Sequence, residues 1–351
     1  MSFDAPDVII VGGGAGGSTA AYALAKRGFT VTVLDKCQTY QAEDFTPFDE
    51  LHFASFGALT PSPVTDPDVY VGHSGKPRKV NRWWVGNMVG GASMIWESNL
   101  IRFTKEDFQV RSLFDTPPAG SSLQDWPWSY ETFEPYFERA EDEWGVSGKA
   151  GQTSSQEPFR AGYEYPTPPL APHPSTQFLQ DTFARAGMSP YLGPKGINSM
   201  DRDDCPECMF CGFCQGYGCS ITDRAGSNSR VLNKAVETGK CELRENHCVT
   251  RVDHENGVVK GVYYKTDPDG PEHHMTAPLV IVAVQAIQSA QPYWALPHVS
   301  YQGCFRSLVS GSRALEFGPR LCAALGPGWT EDSLSIATHI GQFTAARSLH
   351  D

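Results

Sequence analysis

The apolar pattern is clearest near the start of the chain, where two short strands of the buried type flank a helix. Residues 8–11 form a continuous apolar run, and a second strand segment, 30–34, ends at Asp35. The stretch between them is rich in alanine, which favours a helix. Strand, glycine-rich turn, helix and strand in this order predict a βαβ unit in a parallel sheet.

The turn between the first strand and the helix has glycines at Gly12, Gly14 and Gly17, in the order G-x-G-x-x-G. In such a turn the first glycine permits the bend, the second lets a pyrophosphate approach the backbone, and the third lets helix and strand pack closely. Asp35 stands where an acidic side chain binds a ribose hydroxyl. The pattern predicts a dinucleotide site, with a glycine-rich turn of another βαβ unit as the alternative. Ala21, four residues after Gly17, favours FAD over NAD.

The middle of the chain is less regular. Five prolines predict an irregular region after Asp35: Pro47, Pro61, Pro63, Pro67 and Pro77. The next segment, 85–103, is glycine-rich around Gly90 and Gly91, as expected where a backbone runs close to a flat or charged group. A plain loop is the alternative.

Periodicity predicts further elements downstream. A helix is expected over 130–144, capped by Ser129 and Gly145, and another starting at Ser175. A helix at 229–238 precedes strands at 242–244, 249–254, 258–265 and 279–284, and Asn256-Gly257 is typical of a hairpin turn. The expected fold class is therefore α/β, with a doubly wound dinucleotide-binding sheet that a distant segment completes after a long insertion.

Composition narrows the functional classes. The chain has 351 residues and a formal net charge of −12, without a Lys/Arg cluster, which argues against nucleic acid as a partner. The longest apolar run, 279–287, is too short to span a bilayer. The opening MSFDAPDVII lacks a basic region ahead of its apolar stretch, so we expect no signal peptide and a cytoplasmic location. Periplasmic export together with a partner subunit is the alternative.

Five of the ten cysteines lie within 204–219, with the spacing C-x2-C-x2-C-x2-C-x4-C. Thiolates at such intervals can converge on an iron–sulfur cluster or a zinc ion. Disulfides and reduced structural thiols are the two alternatives. Cys37, Cys304 and Cys322 are expected to be ordinary buried thiols.

These motifs together resemble the glucose–methanol–choline (GMC) oxidoreductases, in particular the branch of gluconate and fructose dehydrogenases. The resemblance rests on GGGAGGSTAA, VGGASMIW, DWPWSYETFEPYFERAEDEWGVSG, CMFCGFCQGYGC and HCVTRVDHENGVVKGVYY. It runs from about residue 5 to about residue 291. It implies a GMC-type FAD-binding region over 1–291, with a Rossmann core at 5–37 and 229–291. The insertion, 38–228, carries the cysteine segment 205–219.

The resemblance also implies a chemistry and a set of site residues. FAD takes a hydride from a CH–OH carbon of a sugar, a sugar acid or another alcohol while a base removes the hydroxyl proton. Beyond the first glycine turn and Asp35, the implied cofactor contacts are Gly90, Gly91, Ser93, Trp96, Val249 and Ala283. Cys208, Cys211, Cys214 and Cys219 are the implied ligands of an iron–sulfur cluster. Such a cluster would pass electrons to a cytochrome or small-subunit partner.

Two features depart from the family pattern. The second FAD strand ends in Val284-Gln285, where relatives have Ala-Gly, so its side chains are expected to crowd the cofactor. The resemblance stops near Gln291, and no family motif occurs in 292–351. His298, His339 and His350 stand in no recognisable catalytic context, so the catalytic residues are unassigned.

We therefore expect a divergent or frame-shifted tail on a truncated chain that largely lacks the substrate domain, and weak turnover. Three hypotheses follow: an FAD oxidoreductase that uses a non-oxygen acceptor, a non-catalytic remnant of that fold, or an electron-transfer or metal-binding module built on the cysteines.

Overall fold

The computed structural model describes residues 3–45, 86–117, 120–121, 123–152, 160–214, 216–256 and 258–284, together with the backbone of 68–71 and 77–80. The sequence predictions for 292–351, including those for its histidines and for Cys304 and Cys322, lie outside these residues.

A four-stranded parallel sheet forms the centre of the fold, in the order β5-β2-β1-β9. Its strands are β1 (Val8–Val11), β2 (Val31–Leu34), β5 (Cys241–Arg244) and β9 (Leu279–Val282). Val8 pairs with Val31 on one side and with Leu279 on the other. All residues of β1 and β2 are buried, as expected for strands covered on both faces. The predicted completion of the sheet by a distant segment agrees with this order.

One face of the sheet is covered by helix α1 (Ala15–Ala25) and by a π-helical turn, Ser227–Leu232, which continues into helix α4 (Asn233–Glu237). Their buried side chains share a hydrophobic cluster with alternate residues of β1 and β2. The single helix predicted over 229–238 is thus a π turn followed by a short α-helix.

A three-stranded antiparallel sheet covers the other face. It comprises β6 (Cys248–Glu255), β7 (Val258–Lys265) and β8 (His273–Thr276), in that order. Glu255 pairs with Val258, so the hairpin turn lies where Asn256-Gly257 predicts it, although Gly257 lies outside the described residues. Strand β8 was not predicted, because only Met275 among its four residues is buried.

The insertion contains two strands that the sequence analysis excluded. Strands β3 (Asp68–Val71) and β4 (Pro77–Val80) pair antiparallel. The prediction that prolines break every regular element is wrong here, because Pro77 is the first residue of its strand, where a proline is tolerated. Short 3₁₀ turns lie at Ala42–Asp44, Gly91–Met94 and Glu106–Phe108.

Two longer helices follow in the insertion. Helix α2 (Tyr130–Trp144) begins after Ser129, whose side chain accepts a hydrogen bond from the Thr132 amide, and ends at Gly145 in the left-handed conformation, as predicted. Helix α3 (Pro174–Arg185) begins one residue before the predicted start at Ser175 and is capped by His173. None of its residues is buried in the described structure, and Phe178 is 65% exposed. None of the described helices has the length and apolar character needed to cross a membrane.

A buried ion network fixes α2 to the rest of the insertion. Both oxygens of Glu141 accept hydrogen bonds from Arg102, each at 2.8 Å, and from Arg160, at 3.0 and 2.6 Å. The three side chains are 1–6% exposed. The Arg160 guanidinium also lies 3.8 Å from the centre of the Tyr165 ring. One carboxylate therefore joins the segments around residues 102 and 160 to the helix.

We predict that Glu141→Gln lowers the free energy of unfolding by about 3–5 kcal/mol, because it removes the carboxylate to which two buried guanidinium groups donate. Among the described residues, it leaves Arg102 with a single carboxylate partner, Glu134, at 3.8 Å. Urea unfolding followed by circular dichroism measures the change. The matched control is Glu131→Gln on the same helix. It breaks an exposed ion pair with Lys105 and should change the free energy of unfolding little. Equal unfolding midpoints for the two variants would contradict the prediction.

Candidate dinucleotide site

The glycine turn between β1 and α1 has the shape that a pyrophosphate requires. A Cβ atom on Gly17 would lie 1.9 Å from the Gly12 carbonyl oxygen, so the helix can approach the strand only through a glycine. Gly14 differs, because no atom lies within 4 Å of its Cβ position. It is the N-cap of α1, where no side chain caps the helix and no acidic residue occupies the first turn. Open space in front of uncapped amide groups suits an anion such as a pyrophosphate.

Asp35 points into this turn. Its Oδ2 accepts a hydrogen bond from the Gly13 amide at 2.8 Å, and its Oδ1 accepts one from the Cys37 amide at 2.9 Å. Burial raises the pKa of the Asp35 carboxyl, and the two backbone hydrogen bonds oppose that shift. The orientation agrees with the predicted ribose contact, because each carboxylate oxygen can accept a further hydrogen bond. The contact itself stays a prediction.

The end of β9 meets the same turn. The Ala283 amide donates to the Val11 carbonyl at 2.9 Å, and the Ala283 carbonyl oxygen lies 2.9 Å from the Cβ position of Gly12. Val284 Cγ1 lies still closer to that position, at 2.6 Å. The side chain that departs from the family pattern therefore packs directly on the glycine turn, while Gln285 lies outside the described residues.

The second glycine loop, residues 86–96, lies beside the first. Val89 Cγ1 is 3.3 Å from the Cβ position of Gly13. Gly90 is required by the loop itself, since its Cβ would lie 2.7 Å from Met94 Cγ, whereas the Cβ position of Gly91 faces open space. Ser93 is buried, and its hydroxyl lies 2.6 Å from that of Ser227. Of the predicted loop contacts, Gly91 is thus the one with room for a ligand beside its backbone.

The other two predicted cofactor contacts differ in their surroundings. Trp96 donates from Nε1 to the Ala225 carbonyl at 2.9 Å. Val249 is partly buried in β6, two residues after His247, whose amide donates to the Asp35 carbonyl at 2.8 Å. The start of β6 therefore lies beside the end of β2, where it would border a bound nucleotide. The contact of Val249 with the cofactor stays a prediction.

The cysteine segment lies against the 86–96 loop. A Cβ on Gly218 would overlap the Phe45 ring, which packs on Met88, Met94 and Ile95. Arg224 was not singled out from the sequence, yet its buried guanidinium donates to three carbonyl oxygens, those of Cys214, Tyr217 and Met94. The Arg224 guanidinium therefore holds the cysteine segment against the second glycine loop. In the sequence, the only signal for this role is an arginine among the small residues of DRAGS.

The predicted metal ligands do not form a metal site in the described part of the chain. No group of three or more His, Cys, Asp or Glu side chains there is arranged to hold a metal ion, and none of the described cysteines forms a disulfide. The Cys219 thiol instead donates to Asp223 Oδ1 at 2.6 Å. Burial, together with Asp223, raises the pKa of Cys208 to about 12 and that of Cys219 to about 11. The convergence of the four sulfurs and the ligation of a metal both stay predictions.

A cavity of about 700 Å³ separates the cysteine segment from the π turn and α4. Ser93 and Met94 of the second glycine loop line it, together with Cys219 and Arg224. The first glycine turn does not line this cavity, so it is distinct from the place where a pyrophosphate would bind.

The geometry defines a class of protein. A parallel βαβ unit brings an open, uncapped helix N-terminus, a buried acid at the end of β2 and the end of β9 to one edge of the sheet. This is a dinucleotide-binding site of the Rossmann type.

Comparisons with known proteins agree with this class. Residues 10–40 match the NAD(P)-binding Rossmann-like domain family, and residues 170–291 match the GMC oxidoreductase family. Among solved structures, formate oxidase has a TM-score of 0.52 at 18% identity, over 82% of this chain and 47% of that one. An FAD-dependent oxidoreductase from Chaetomium thermophilum has a TM-score of 0.50 at 16% identity, over 82% and 46%. These structures support the fold.

Two curated relatives place the chain more finely. The gluconate 2-dehydrogenase flavoprotein of Pantoea cypripedii is 28% identical over 80% of this chain and 50% of its own length. The fructose dehydrogenase large subunit of Gluconobacter japonicus is 23% identical over 81% and 53%. The chain thus spans about half the length of these relatives. These matches support the GMC oxidoreductase family, in the branch of gluconate and fructose dehydrogenases, and both fold and family indicate FAD as the cofactor.

We predict that Gly14→Val abolishes FAD binding while the protein still folds. The open space at Gly14 accommodates a side chain, and its φ of −69° is accessible to any residue, so the new side chain occupies only the space that the pyrophosphate needs. Titration with FAD, followed by flavin fluorescence, measures binding. Gly193→Val, at an exposed position 3.9 Å from its nearest neighbour, is the matched control. Undiminished FAD binding by a folded Gly14→Val variant would show that the pyrophosphate lies elsewhere.

We also predict that Val284→Ala lowers the Kd for FAD. The substitution removes the methyl groups that pack on Gly12, so the turn gains room for the cofactor. Val280→Ala, within β9 and against the same hydrophobic cluster as Val284, is the control and should leave the Kd unchanged. The idea fails if the two variants bind FAD equally.

Proposed function

We propose that this chain forms the FAD-binding part of an oxidoreductase that acts on CH–OH groups of sugars, sugar acids or related alcohols. The observation that carries the proposal is the open, uncapped N-terminus of α1 opposite Asp35 and Ala283. Similarity to the gluconate and fructose dehydrogenase branch supports the substrate class.

Different residues of this chain would bind different parts of the cofactor. The amides behind Gly14 would hold the pyrophosphate, Asp35 would accept a hydrogen bond from the ribose, and Ala283 borders the turn. Gly91, Ser93 and Trp96 lie along the second loop, where the flavin end would bind. FAD, when bound, supplies the hydride acceptor for oxidation of the carbinol carbon.

Two more detailed proposals concern the electron acceptor and the base that removes the hydroxyl proton. One relative is named as a large subunit, which supports an electron acceptor other than oxygen, carried by a small-subunit or cytochrome partner. An iron–sulfur cluster on the cysteine segment would suit that transfer and stays a prediction. No described residue is assigned as the base that removes the hydroxyl proton. A general base typically contributes about 10²–10⁴-fold to such a rate, so we expect weak turnover from this chain alone. The cytoplasmic location also stays a prediction.

Visible absorbance of the purified protein, with FAD added and excess removed, tests the proposal. We expect the two absorption bands of a bound flavin, and their loss in Gly14→Val. A colourless protein would instead indicate a remnant that no longer binds its cofactor, and a broad iron–sulfur band without flavin an electron-transfer module. Dye-linked activity with gluconate, fructose, glucose and sorbitol then tests the substrate class. Robust turnover on any of them would mean that 292–351 or a partner chain supplies the base.

A further inference from the structure

The end of helix α2 lies between the two glycine loops. Trp144 is 3% exposed and is the last residue of the helix. Its ring meets the Trp96 ring edge-on, with centroids 6.0 Å apart and an interplanar angle of 76°. The second glycine loop thus ends on a side chain from a helix more than thirty residues further along the chain.

The same indole is linked to the first glycine turn through two successive hydrogen bonds. Trp144 Nε1 donates to Thr19 Oγ1 at 3.2 Å, and Thr19 Oγ1 donates to the Ala15 carbonyl at 2.8 Å. Ala15 is the first residue of α1, directly after Gly14. Ala15 and Trp96 also pack against one hydrophobic cluster, which contains Trp144. A single side chain therefore contacts the second loop directly and is linked to the first turn through Thr19.

The backbone of Trp144 is itself held in place. Its carbonyl oxygen accepts a hydrogen bond from Arg230 Nη1 at 3.1 Å, and Arg230 Nη1 also donates to Asn198 Oδ1 at 2.9 Å. Arg230 is 2% exposed. Because the backbone of Trp144 is held in place, movement of either loop would break the contacts of its indole.

We propose that Trp144 is a positioning residue that sets the spacing between the pyrophosphate turn and the second glycine loop, and thereby the affinity for FAD. The inference rests on the proposed FAD site and adds to it a side chain outside both glycine loops. A dinucleotide that binds at both loops is held tightly only when their spacing matches its length, since preorganisation reduces the cost of binding.

Two variants remove the hydrogen bond without removing the ring contact. Thr19→Val deletes the acceptor, and Trp144→Phe deletes the donor while keeping an aromatic ring against Trp96. Each should weaken FAD binding by about 2- to 10-fold, the range that one hydrogen bond accounts for. The double variant should be no weaker than the weaker single variant, because both changes remove the same bond. Thr19→Ser, which keeps the hydroxyl acceptor, should bind FAD with the affinity of the wild type.

Fluorescence titration gives the Kd, and visible circular dichroism of the bound flavin reports its orientation. The matched control is Trp128→Phe, in a separate aromatic cluster, where its ring centroid lies 5.7 Å from that of Phe133. It should leave both readouts unchanged. Folding is checked by thermal unfolding without FAD, so that a lower melting temperature alone is not counted as a positioning effect.

The outcomes separate the inference from the proposed function. If the wild-type chain binds no FAD, the result contradicts both the proposed FAD site and the positioning role of Trp144. If the wild type binds FAD and the folded Thr19→Val and Trp144→Phe variants match its Kd and its flavin spectrum, only the positioning role is overturned. Weaker binding with an altered flavin spectrum in both variants, and rescue by Thr19→Ser, supports it.

Discussion

The close approach of α1 to the first strand is the constraint on which the rest of the fold depends. A Cβ at Gly17 would lie 1.9 Å from the Gly12 carbonyl, so only a glycine lets the helix lie across the turn. That approach brings Ala20, Ala21 and Leu24 into the core against alternate residues of β1 and β2. It also directs the helix N-terminus at the edge of the sheet where the strands end. Packing and ligand geometry are thus set by the same contact.

The glycines around this edge serve two physical purposes. Gly17 and Gly90 are needed because the protein packs against itself at their Cβ positions, and a side chain there would displace the fold. Gly14 has no neighbour within 4 Å and a φ of −69°, so the folded chain alone does not require it to be glycine. Gly91 also has open space at its Cβ position, but its φ of +57° favours glycine by itself. Gly14 is therefore the position where a ligand that approaches from outside explains the missing side chain.

The local parts of the fold could be predicted from the sequence, and the long-range parts could not. The first βαβ unit was predictable because continuous apolar runs, a glycine turn and an acid follow one another within thirty residues. Strand β8 was missed because its exposed histidines hide the single buried residue, Met275. In the insertion, the charge network centred on Glu141 joins partners 39 and 19 residues away. Neither apolar periodicity nor short motif spacing reveals such a pairing.

The candidate site shows the same division. The sequence predicted which residues end the strands, and these lie together because parallel strands end at one edge. It could not predict that Val284 packs on Gly12, nor that Arg224 fastens the cysteine segment to the second loop, because both contacts depend on tertiary packing. The cysteines are a harder case. Spacing alone suggests a ligand set, but buried neutral thiols beside Asp223 are stable as hydrogen-bond donors when they retain their protons. Ligation releases those protons, so binding of a metal at this segment would have to offset both the high thiol pKa and the loss of the Asp223 contact.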